Sequence, residues 1–139
     1  MEREIYTPPG GPPQHPPLNP KLFRALGEEK IRRLTAIFYK EIAESSIRSM
    51  YPEEDLKLSE EKLADFMIQV LGGPAYYVRK YGPPRMRARH FPFEIDEKAR
   101  RVWLSCFKKA LDETEMEDTD RQDIYSFLAS FSAWMVNKA

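Results

Sequence analysis

Arg85-Met86-Arg87-Ala88-Arg89-His90-Phe91-Pro92-Phe93 is the most informative stretch of this chain. The chain has two histidines, and the other, His15, lies in a proline-rich tail that cannot hold a fixed geometry. Imidazole chemistry in the folded part therefore rests on His90. A lone histidine among arginines, closed on its far side by Phe-Pro-Phe, suits a single axial bond to a flat, dianionic cofactor. One ring nitrogen would hold a metal, guanidinium groups would face carboxylates, and aromatic rings would cover the flat face. The plain alternative is a surface histidine beside a solvated basic loop.

The segments around this run are helical, and no convincing strand is found. Upstream, residues 75–95 read as irregular, because Gly82-Pro83-Pro84 forbids a continuous helix. So long an irregular stretch in a small domain usually has a function. Gly72-Gly73-Pro74 closes a helix whose apolar stripe is Leu63, Phe66, Met67, Val70 and Leu71. Ser59, before Glu60 and Glu61, reads as its start. Tyr51-Pro52-Glu53-Glu54-Asp55 separates it from an earlier helix with Ile31, Leu34, Ile37, Phe38 and Ile42 in register. A short helix is expected from Pro20 to Leu26, ending at Gly27. Downstream, Asp96 is placed to cap a helix carrying Val102, Trp103, Cys106, Phe107, Ala110 and Leu111. A last helix carries Ile124, Phe127, Leu128, Phe131, Trp134 and Met135.

The chain's 139 residues suffice for one core. Lys+Arg and Asp+Glu are both 22, a formal charge of zero that argues against a dedicated nucleic-acid binder. The one cysteine, Cys106, allows no intrachain disulfide and shares a face with Val102 and Phe107, which suits packing. No stretch approaches the roughly 20 apolar residues that span a bilayer, and the N-terminal stretch has no apolar core of a signal peptide. A soluble cytoplasmic protein, monomer or homodimer, is expected. Six of the twelve prolines fall between Pro8 and Pro17. Residues 1–20 thus form a disordered or extended extension, and 21–139 the folded domain. The extension is expected to add little to folding. A docking segment for a proline-recognising partner is the less favoured reading.

Taken in order, Tyr-Pro-Glu-Glu-Asp-Leu, Gly72-Gly73-Pro74, Tyr77, Arg-x-Arg-x-Arg-His90-x-Pro-Phe-x-Ile95 and Trp103-Leu104 resemble the truncated haemoglobins, specifically their second group. The match runs from about Phe38 to Leu111. Where the family commonly has Gly-His-Pro, this chain has Gly82-Pro83-Pro84, which alters the loop before His90. The resemblance implies an all-α, two-over-two helical sandwich around haem b. It makes His90 the proximal iron ligand, held from its other nitrogen by a backbone carbonyl of the 85–89 loop.

By the same resemblance Arg89, with Arg87 and the hydroxyl of Tyr77, faces the haem propionates. Arginines that alternate along a loop cannot all point one way, so at most two reach them. Tyr39, Tyr51 and Trp103 form the distal set, donating hydrogen bonds to a bound ligand. The bland reading of each is an ordinary core aromatic. Ser59 is either a distal gate or a helix cap, and Leu63, Phe66 and Met67 line the haem pocket or simply fill the core.

The expected function is binding of dioxygen, carbon monoxide and nitric oxide, with nitric oxide dioxygenase or peroxidase-like activity open. No flavin or nicotinamide motif is present, so turnover requires an outside reductase. The competing reading is a cofactor-free helical interaction module that uses the basic 85–89 loop to hold a partner's phosphate or carboxylate.

Overall fold

The computed structural model describes residues 3–13, 18–52 and 56–139. His15 and the acidic run Glu53-Glu54-Asp55 lie outside the described residues. The helices are α1 (Leu22–Leu26), α2 (Glu28–Ala43), α3 (Lys57–Val70), α4 (Tyr76–Tyr81), α5 (Met86–His90), α6 (Glu97–Asp112) and α7 (Asp118–Met135), with a 3-10 turn at Arg48–Met50. Among the described residues there is no strand. None of these helices is long and apolar enough to cross a membrane.

Two helix pairs, α2 with α3 and α6 with α7, are joined through contact between α2 and α6. This is the two-over-two arrangement. It follows from the apolar faces: Ile31, Leu34, Phe38 and Ile42 of α2 are fully buried, as are Phe107 of α6 and Ile124 and Leu128 of α7. At the crossing, the rings of Phe38 and Phe107 stack at 4.0 Å between centroids. Each such buried side chain contributes about 1.5–3 kcal/mol.

Local signals set most helix boundaries. Gly27, at φ +84°, lets the chain turn between α1 and α2. Asp96 caps α6 by accepting from the Ala99 amide at 2.8 Å. Ser59 does not start α3: the helix begins at Lys57, behind Leu56, with no side-chain cap, and Ser59 sits inside the first turn. The stretch read as irregular from 75 to 95 contains two short helices, α4 and α5. Gly82-Pro83-Pro84 separates them, and each is too short to show a helical period.

Two features position α4. Asp65, fully buried on α3, accepts from Arg32 of α2 at 3.2 Å and from Lys80 of α4 at 2.9 Å. Arg32 also holds Glu28, to which the Tyr76 hydroxyl donates. One buried carboxylate thus ties three helices together, its charge matched by cations. At the end of α3 the Phe23 amide donates to the Leu71 carbonyl at 2.9 Å, bringing α1 against the turn.

The N-terminal segment is extended, but it is fastened to the body. Tyr6 donates its amide to the Asn137 carbonyl at 2.9 Å, and the Arg3 guanidinium bonds Asn137, Phe91 and Phe93. The expectation of little contribution to folding rested on the lack of an apolar face. Backbone and guanidinium hydrogen bonds leave no such trace in composition.

Gly72 has φ +104°, and a Cβ there would lie 2.3 Å from the Pro20 carbonyl oxygen. Gly72→Ala is expected to cost about 1–3 kcal/mol, the range for overpacking. Gly10→Ala, whose added Cβ meets nothing within 4 Å, should stay within about 0.5 kcal/mol of the parent. Urea denaturation compares them, and equal midpoints for the two variants would refute the close approach.

Candidate functional site

His90 ends α5, and its ring Nδ1 lies 2.5 Å from the Met86 carbonyl oxygen, one turn back. A carbonyl only accepts, so Nδ1 carries the proton and Nε2 keeps its lone pair. Burial holds the imidazole below its usual pKa, partly opposed by the Met86 bond. The ring is neutral at pH 7, as a metal ligand must be.

The arginines of the run have distinct tasks. Arg89 donates from Nε to the Pro84 carbonyl at 2.5 Å and from Nη2 to those of Tyr81 and Pro83 at 2.8 and 2.9 Å. It braces the Gly-Pro-Pro loop and covers the Tyr77 ring at 5.4 Å. Among the described residues no acceptor faces its Nη1. Arg87, expected toward a propionate, turns instead to the end of α7. Its Nη1 donates to the carbonyls of Trp134 and Val136, its Nη2 to that of Tyr6, and its guanidinium stacks on Trp134 at 4.3 Å. The last carbonyls of a helix lack partners within it and favour a cation. Arg85, just before α5, lies in the left-handed region at φ +40°.

Tyr39, Tyr51 and Trp103 come together although they lie on α2, the 48–51 turn and α6. The rings of Tyr39 and Tyr51 meet edge to face at 5.6 Å. The Phe38 ring lies edge-on to Tyr39 at 5.0 Å and to Trp103 at 5.7 Å. Two hydroxyls and one indole N–H are thereby gathered where three segments meet.

An aromatic row runs beside this trio. Tyr77 meets Phe66 at 5.8 Å, Phe66 meets Phe131 at 5.5 Å, and Phe131 meets Trp103 at 6.4 Å. Tyr77 and Phe66 are nearly buried and Met67 is fully buried, while Leu63 is half-buried against the core. Ser59 is half-buried in the first turn of α3. Cys106 is buried in the core, where burial pushes its thiol pKa up. A cleft of about 460 Å³ opens between α5 and the end of α7. Met86, Ala88, Phe91, Phe131 and Met135 supply much of its wall.

Sequence reasoning missed Asn137, which holds the His90 carbonyl, and Arg3, which holds the residues after it. A polar residue after the apolar Trp134-Met135-Val136 was the available sign for Asn137. Nothing in the sequence marked Arg3.

The donor set fits a haem. Among the described residues no three His, Cys, Asp or Glu side chains gather to hold a bare metal ion. An iron on His90 would take its other bonds from its own macrocycle. The neutral imidazole, the aromatic row and the convergent hydroxyls suit that group.

Burial raises the phenol pKa of both Tyr39 and Tyr51 well above the ordinary value. A raised value in the fold means that the protonated phenols stabilise it below about pH 10, the value for an unfolded tyrosine. That contribution is lost as pH climbs from there toward the folded values. In an alkaline titration followed by tyrosinate absorbance, these two should ionise late, together with loss of helical circular dichroism. Tyr39→Phe and Tyr51→Phe should each remove one late-ionising group. An unchanged late count in both would show these hydroxyls to be solvated.

The family model of the bacterial-like globins matches residues 21–137. The group 2 truncated haemoglobin YjbI of Bacillus subtilis is 34% identical over 116 residues, 84% of this chain and 88% of that protein. The crystal structure of the group II truncated haemoglobin of Bacillus anthracis superposes with a TM-score of 0.80 at 36% identity, covering 84% of this chain and 95% of that one. The truncated oxygen-avid haemoglobin of Bacillus subtilis gives a TM-score of 0.79 at 35% identity, covering 83% and 98%. With these similarities and the two-over-two fold, the chain belongs to the bacterial-like globins, among the group II truncated haemoglobins.

Proposed function

We propose that this chain binds one haem b through His90 and uses it to bind dioxygen, carbon monoxide and nitric oxide in the cytoplasm. The observation that carries this reading is the pinned imidazole: Nδ1 is committed to Met86, and Nε2 is the ring nitrogen able to hold iron. The solved relative described as oxygen-avid supports dioxygen as a ligand. When bound, haem would supply an iron that binds diatomic ligands, and His90 would be the residue that holds it.

The chain's residues do the rest. Met86 fixes the imidazole tautomer. Arg89, braced by three carbonyls, offers Nη1 to a propionate, and Tyr77 lies beneath its guanidinium. Phe66, Met67 and Leu63 exclude water from the cofactor's faces. Tyr39, Tyr51 and Trp103, gathered from three segments, would offer hydroxyl and indole donors to a bound ligand. Ser59, small and near the start of α3, leaves a path for entry. Oxidation of nitric oxide or turnover of peroxide would draw electrons from a separate reductase.

The cofactor-free interaction module is not favoured. Its binding groups were to be the arginines of the 85–89 loop, and Arg87 and Arg89 already serve backbone carbonyls.

The purified chain should show a Soret band, and His90→Ala should lose the normal ferrous spectrum or the haem itself. An unchanged carbon-monoxide complex in that variant would refute the axial assignment.

Ligand retention tests the distal trio. A hydrogen bond to a strongly polarised acceptor is worth about 1.5–3 kcal/mol. Trp103→Phe, which keeps an aromatic body and deletes the N–H, should therefore release dioxygen roughly ten- to hundredfold faster. Tyr39→Phe and Tyr51→Phe, each losing one hydroxyl donor, should also accelerate release. Carbon monoxide, a poorer acceptor, should respond less. Stopped-flow release at the parent rate in all three variants would reduce the trio to core aromatics.

A further inference from the structure

A one-turn helix carries the imidazole, and such a helix is not stable on its own. α5 spans five residues, and the Met86 bond fixes the His90 ring only relative to that turn. Something beyond the helix must fix the turn in space. Both ends of the chain converge there.

Asn137, fully buried beyond α7, donates its side-chain N–H to the His90 carbonyl at 3.0 Å. Its side-chain oxygen accepts from the Ile95 amide at 3.0 Å and from Arg3 Nη2 at 2.8 Å. Its backbone amide donates to the Ile95 carbonyl at 2.9 Å. Its backbone carbonyl accepts from the Tyr6 amide and from Arg3 Nη1, both at 2.9 Å. Arg3 reaches onward with Nη2 to the carbonyls of Phe91 and Phe93, at 2.9 and 2.8 Å. From the other side, Arg87 of α5 grips the end of α7 and the Tyr6 carbonyl.

We propose that Asn137 and Arg3 are positioning residues for His90: the two chain ends close a clamp on α5 that sets where the axial imidazole stands. The proposal rests on the reading of His90 as the iron ligand. Asn137 acts on the residue itself, through its carbonyl. Arg3 acts on Phe91 and Phe93, which follow His90, and on Asn137. The clamp is specific in geometry: one planar guanidinium serves acceptors on both the His90 loop and the C-terminal segment, which a lysine point charge cannot reproduce. Groups outside the ligand shell that orient a metal-binding histidine commonly alter metal affinity when removed.

The test uses the full haem-loaded chain with Arg3→Ala, Arg3→Lys and Asn137→Asp. The last keeps the shape and the acceptor but loses the donor to the His90 carbonyl. Arg121→Ala is the comparison, because Arg121 closes the α6–α7 turn through the carbonyls of Leu111, Thr114 and Met116 and makes no bond to α5.

The readouts are the iron–imidazole stretching band in the ferrous, ligand-free state, the rate of haem transfer to excess apo-globin, and amide exchange at residues 89–93. Arg3→Ala and Asn137→Asp should shift or broaden the band, speed haem loss roughly ten- to hundredfold, and accelerate exchange. Arg3→Lys should recover only part of the parent behaviour. Arg121→Ala should lower the melting temperature and leave the band in place. Parent bands and parent haem loss in both Arg3→Ala and Asn137→Asp would overturn the clamp.

His90→Gly separates the two assumptions. Loss of the band, with return on adding free imidazole, keeps the axial reading intact, so unchanged clamp variants then count against the clamp alone. A parent spectrum in His90→Gly overturns the axial reading and the clamp proposal with it.

Discussion

The hydrogen bond between the His90 ring and the Met86 carbonyl determines what the imidazole can be. It selects one tautomer and leaves the other nitrogen as a base. Burial then keeps that base unprotonated at pH 7. Neither effect is enough alone. A buried histidine without the bond could present either nitrogen, and a bonded but solvated one would be partly protonated near pH 6. Neighbouring side chains keep this arrangement in place: Arg87 and Arg89 brace the chain on either side of the ring, and Asn137 holds the carbonyl of the same residue.

A division between long packed helices and an irregular segment around His90 runs through the fold. α2, α3, α6 and α7 supply the buried apolar faces and most of the stability. His90 and Tyr51 lie outside them, on short turns whose backbone cannot be satisfied by a long helix. Side chains make up the difference. Arg89 serves three loop carbonyls, and Arg3 serves the loop after His90. Charged groups that sequence inspection assigns to a ligand's carboxylates are thus partly committed to the protein's own backbone. That commitment is what allows a proline-broken segment to hold a fixed shape.

Periodic apolar residues make the four long helices legible, because a stripe such as Leu63, Phe66, Met67, Val70 and Leu71 can satisfy only one geometry. Asp96 is legible as a cap for a similar local reason. α4 and α5 are not, since helices of six and five residues hold too few apolar positions to show a period. Ser59 misled because a serine ahead of acids mimics a cap, whereas the backbone had already turned helical at Lys57. His90 and the trio Tyr39, Tyr51 and Trp103 were visible through their type and order, but the trio's ring contacts depend on three separate segments meeting. Asp65 lay outside the apolar stripe and is buried only because Arg32 and Lys80 fold over it. Arg3 and Asn137 are 134 residues apart, a separation over which no local pattern carries information.

Tyr39, Tyr51 and Trp103 place three polar groups where packing alone would be served by phenylalanine. Their rings are held edge to face, Tyr39 on Tyr51 at 5.6 Å and Phe38 against both Tyr39 and Trp103. A ring held by its neighbours confines its polar atom to a narrow range of positions, so little ordering cost would fall on a ligand bound there. On the proposed reading these donors would favour a strongly polarised acceptor, because a polar group left without a good partner in a site sheltered from water is costly.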